Sequence, residues 1–98
     1  MFINVIESSR LIVAACDKDL MGKKFEENTF QLDVKETFYK GEEKSKEESI
    51  NLFQDMKKED ATFNLVGNKT IEAALEAGII VQENISKIDG IPFALVLL

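Results

Sequence analysis

Residues 63–80 read FNLVGNKTIEAALEAGII. In that stretch a β-branched and aromatic run stops at Gly67 and a helical pattern begins at once. Free backbone amides at a helix N-terminus, with the Lys69 ammonium beside them, have the chemistry to hold phosphate or carboxylate. Gly67, Asn68 and Lys69 are therefore the anion-binding candidates. The spacing matches neither Gly-x-Gly-x-x-Gly nor the P-loop pattern, since only one glycine is present. Asn68 as a plain helix N-cap accounts for the same residue types without a ligand.

Other chemistry-bearing groups carry less. Gly22-Lys23-Lys24 has the look of a P-loop fragment, but Asp17 stands where the upstream glycine belongs and Lys24 where Ser or Thr belongs. Cys16 has no histidine to activate it, because the chain contains none. It ends an apolar run and reads as a core residue. The absence of histidine also excludes His-based acid–base catalysis and His metal ligation. Asp17/Asp19, Glu42/Glu43 and Glu59/Asp60 lack the organised loop that calcium requires and read as solvated turns. Phe38-Tyr39 between Lys35 and Lys40 could stack a base, yet Glu36, Glu42 and Glu43 would repel its phosphates. No catalytic residue, metal ligand or cofactor is expected.

Composition narrows the class. The 98 residues fit one domain, 1–98, and 45% hydrophobic with 31% charged residues is the balance of a soluble globular protein. A single cysteine allows no disulfide within the chain, so a reducing cytoplasm is the expected compartment. The N-terminus lacks a basic leader, and no apolar run approaches the about 20 residues needed to span a bilayer. A net charge of −6 and a single arginine, Arg10, oppose general nucleic-acid binding.

The elements that must position these groups follow from local patterns. Phe2–Glu7 and Leu11–Cys16 read as a hairpin joined by Ser8-Ser9-Arg10. The second run scarcely alternates, so both its faces should be covered. Asp17 can cap one helical turn that Gly22 ends. Thr29–Lys35 alternates, as an outer strand does. Residues 36–41 read as a turn with two aromatics to bury. Ser45 and Glu48 have capping-box spacing at the start of a helix over about 46–58. Ala61–Val66 reads as a strand, and a second helix runs over about 69–77, ended by Gly78 with Ile79 folding back. Asp89-Gly90 suits a primed turn between 85–88 and 91–98, and within the latter Phe93–Leu98 reads as buried on both faces.

Several of these features recur together. Val13-Ala14-Ala15-Cys16-Asp17 leads into Leu20-x-Gly22-Lys23-x-Phe25, followed by Phe38-Tyr39-x-Gly41, Asn64-Leu65-Val66-Gly67 and Asp89-Gly90-Ile91-Pro92. In that order they resemble the small archaeal family called domain of unknown function 424, over nearly the whole chain. The resemblance implies a compact α+β domain with no established activity. It also implies company with translation and other information-processing genes, hence a ribosome- or RNA-associated role. The family's polar residue after the Gly-x-Pro turn, commonly histidine, is replaced here by Phe93.

The resulting expectation is an α+β fold: a mixed, mostly antiparallel sheet with two main helices on one face and residues 2–7, 11–16 and 93–98 at its buried centre. The leading functional expectation is a non-enzymatic cytoplasmic binding or accessory protein, acting through protein contacts or a structured RNA of the translation apparatus. The alternative is a small-molecule or phosphate-binding protein using Gly67, Asn68 and Lys69. Homo-oligomerisation through an exposed strand edge is compatible with either.

Overall fold

The most apolar run of the chain, Leu11–Cys16, becomes strand β2, and its neighbours on both sides are apolar strands as well. A computed structural model describes residues 1–97. β1 (Phe2–Glu7) pairs antiparallel with β2 through the predicted hairpin. On the other side β2 pairs parallel with β6 (Thr62–Val66), from Ile12 opposite Thr62 to Cys16 opposite Val66. β8 (Ile91–Val96) pairs antiparallel with β6 and, across the Asp89-Gly90 turn, with β7 (Ser86–Ile88). A two-residue strand β5 (Glu42–Glu43) closes the far edge, giving the order β5-β1-β2-β6-β8-β7. The sheet is mixed and mostly antiparallel, and the fold class is α+β as expected.

Side-chain alternation divides the sheet into two faces. Ile3, Val13, Ala15, Phe63, Leu65 and Ala94 point to one face. There they meet helices α2 (Lys46–Lys58) and α3 (Asn68–Ala77). Phe53 of α2 stands edge-on to Phe63, with ring centroids 6.0 Å apart. Small Ala73, Ala74 and Ala77 let α3 approach the strands closely. The opposite face carries Ala14, Cys16, Val66 and Phe93. It is covered by residues 18–40: Leu20 in a single 3-10 turn, a hairpin of β3 (Lys24–Glu27) and β4 (Phe30–Asp33), Val34, and Tyr39 in the one-turn helix α1 (Glu36–Tyr39).

Four expectations change. The buried centre is β2 with β6, and β1 and β8 flank it, because the parallel pairing places Thr62–Val66 between β2 and β8. The 93–98 run is not buried on both faces: Leu95 and Leu97 are exposed, and the cluster beneath the 18–40 segment reaches Phe93 but not Leu95. Leu98 lies outside the described residues. Residues 29–35 form no outer strand of the main sheet. Their strand β4 pairs only with β3, and its Phe30 is 67% exposed. Asp17 precedes the 3-10 turn at Lys18–Leu20 but does not cap it with its side chain.

Candidate functional site

β2 and β6 run parallel and in register, so the residues that follow them, Asp17 and Gly67, leave the sheet side by side. The Asp17 amide donates to Val66 O at 3.1 Å, and the Gly67 amide to Pro92 O at 2.8 Å. Gly67 then turns the chain into α3 with φ +106°, a region nearly reserved for glycine. Its missing side chain is also what admits Asp17: a Cβ at Gly67 would stand 2.3 Å from Asp17 Cγ.

The Asp17 carboxylate fills the space so created. Oδ2 accepts from the Lys69 amide at 3.1 Å, and Oδ1 from the Thr70 amide and hydroxyl at 2.8 Å each. A buried carboxylate set on two first-turn amides satisfies donors the helix cannot satisfy itself and opposes the positive end of its dipole. Thr70 is fully buried and Asp17 nearly so. The anion at this helix N-terminus is thus supplied by the protein.

The predicted trio divides accordingly. Gly67, not Asn68, is the N-cap, and Asn68 is the first helical residue with its side chain exposed. Asn68 was expected as a cap, but a carboxylate from 52 residues upstream takes the Lys69 amide instead. Lys69 points to solvent. With Asn68, Lys18 and Asp19 it borders an open cleft of about 750 Å³ beyond the carboxyl ends of β2 and β6, with Asp17 at its base. Lys18 is held by Glu43 at 3.2 Å.

The other reactive groups sit beneath the 18–40 segment. Burial, reinforced by the neighbouring Asp17, pushes the Cys16 thiol up to about 11. Burial, with Cys16 adjacent, pushes the Tyr39 phenol up to about 12. Both are protonated at neutral pH, and the thiol is not a nucleophile in that state. Tyr39 packs edge-on to Phe38 at 5.1 Å, so this aromatic pair seals the core margin. Among the described residues no cluster of acidic and cysteine side chains is placed to hold a metal ion, and no buried side-chain nitrogen or oxygen lacks a partner.

A second surface was not read from the sequence. Phe93 and Leu95 point to the same face of β8, and the 18–40 segment covers only the first of them in part. Phe30, Ile88 and Phe93, with Glu27 and Lys87 at the rim, line a cleft of about 280 Å³. Glu27 Oε1 accepts from the Asp89 amide at 2.9 Å, fastening the β3–β4 hairpin to the β7–β8 turn. An apolar stripe runs from Phe30 through Phe93 to the 54% exposed Leu95 on the same face of β8. The alternation of residues 29–35 signalled that Phe30 and Leu32 share a face, but not that the face is left half open.

The profile of the family described as protein of unknown function (DUF424) matches residues 6–98. The chain belongs to that family. The fold of this DUF424 member is shared with an uncharacterized conserved protein from Methanopyrus kandleri, known from a crystal structure. The two superpose with a TM-score of 0.87 at 20% identity, over 97% of this chain and 88% of that one. No curated protein matches the sequence. The Phe93 ring packs against the core beneath the 18–40 segment.

Proposed function

We propose that this DUF424 protein is a non-enzymatic cytoplasmic binding or accessory protein that engages a protein component of the translation apparatus. The observation that carries this reading is the apolar stripe Phe30–Phe93–Leu95. Large apolar side chains gathered on one exposed face mark interaction sites more often than scattered single ones do. A protein partner is favoured over nucleic acid by the net charge of −6. The link to translation comes from the family resemblance. Affinity purification of the intact protein from its native host, with RNase added, tests the proposal. Ribosomal or translation proteins should be recovered with the native sequence and lost with Leu95→Asp, a substitution at an exposed site. Recovery of none, equal recovery with the variant, or loss on RNase treatment overturns it.

A second reading places a phosphate or small anion at residues 67–69. It is favoured by the cleft of about 750 Å³ where the Lys69 ammonium and the Asn68 amide face solvent. It is opposed by Asp17, which already holds the Lys69 and Thr70 amides. Inorganic phosphate would then have to bind through Lys69 and the Asn68 amide. In an NMR titration those resonances should shift with the native sequence and not with Lys69→Ala. Amides that stay in place at millimolar phosphate exclude this reading.

A further inference from the structure

We draw no further inference here: the strongest candidate outside the surfaces already described, the hollow lined by Ile3, Val5, Gly41 and Leu52 where the short pairing of β5 with β1 ends, is a surface patch for which nothing in the structure shows what covers it.

Discussion

The chain's most consequential pair is Asp17 and Gly67, since each residue makes sense only through the other. Gly67 gives the left-handed turn and the empty volume, and Asp17 fills that volume with two acceptor oxygens. Half of this was legible. The sequence places Gly67 at the junction of a strand and a helix, and in the structure that junction has a φ of +106°. The carboxylate was not legible, because its partners lie 52 and 53 residues away and meet it only through the parallel pairing of β2 and β6. Local rules assign a cap to the nearest polar side chain, which is why Asn68 took the role. Asp17→Ala should cost about 3 kcal/mol, because it leaves two first-turn donors buried without a partner. Gly67→Ala should also destabilise, through both the positive φ and the clash with Asp17. In the double variant the clash is gone and the φ strain remains. The two losses should therefore sum to more than the double variant shows, by roughly 1 kcal/mol. Urea unfolding of the four proteins measures this, and strict additivity would show that the two residues act independently.

At the scale of elements, some signals carried within four residues held, although the Asp17 and Asn68 caps did not. Helix α2 begins where the Ser45–Glu48 spacing placed it. The Ser45 hydroxyl accepts from the Glu48 amide at 3.2 Å, and Glu48 Oε1 accepts from the Ser45 amide at 2.9 Å. The Ser45 amide donating to it, with the Ser45 side chain beside it, holds the Glu48 carboxyl below its usual value. Gly78 takes the left-handed position that ends α3, and the Ile79 amide returns to Ala74 O at 3.2 Å. Asp89 and Gly90 both have positive φ, as a primed turn requires. Strand β3 was not legible, since Lys24-Phe25-Glu26-Glu27 has one apolar residue and pairs only with its hairpin partner. The exposed triad of Lys46 with Glu72 and Glu76, which links α2 to α3, was invisible for a related reason: its members lie far apart in sequence. Geometry decides which of these contacts matters. Ser45→Ala removes a fixed acceptor at a helix end and should lower stability by about 1 kcal/mol. Lys46→Met removes a flexible, solvated cation and should leave the thermal midpoint within error. Thermal melts of the two variants check the ranking, and a larger loss for Lys46→Met would reverse it.

Across the whole molecule the sheet divides two unlike cores. The helix side is built from aliphatic, alanine and phenylalanine side chains, with the Asp17 carboxylate at its margin on the first turn of α3. The side beneath residues 18–40 holds a thiol and a phenol, Cys16 and Tyr39, each buried and each shifted upward. The asymmetry follows from what covers each face: two regular helices on one, and on the other short elements that leave part of the sheet exposed near Leu95. It should also weaken the fold in alkali. In the unfolded chain Cys16 releases its proton near 9.0 and Tyr39 near 10.0, whereas the folded chain keeps them to about 11 and about 12. Between those values the unfolded state binds fewer protons than the native state, so stability falls as pH rises. The contribution is fully present below about pH 9, and its loss is complete by about pH 12. The thiol alone accounts for on the order of 2 kcal/mol. Urea midpoints taken from pH 8 to pH 12 should therefore decline, and the decline should be shallower in Cys16→Ala and in Tyr39→Phe. Because both groups lie on one side of the sheet, the near-ultraviolet signal of Tyr39 should be lost at lower pH than the far-ultraviolet signal of α2 and α3. Simultaneous loss of the two signals, with slopes unchanged in both variants, would place the alkaline weakness elsewhere in the molecule.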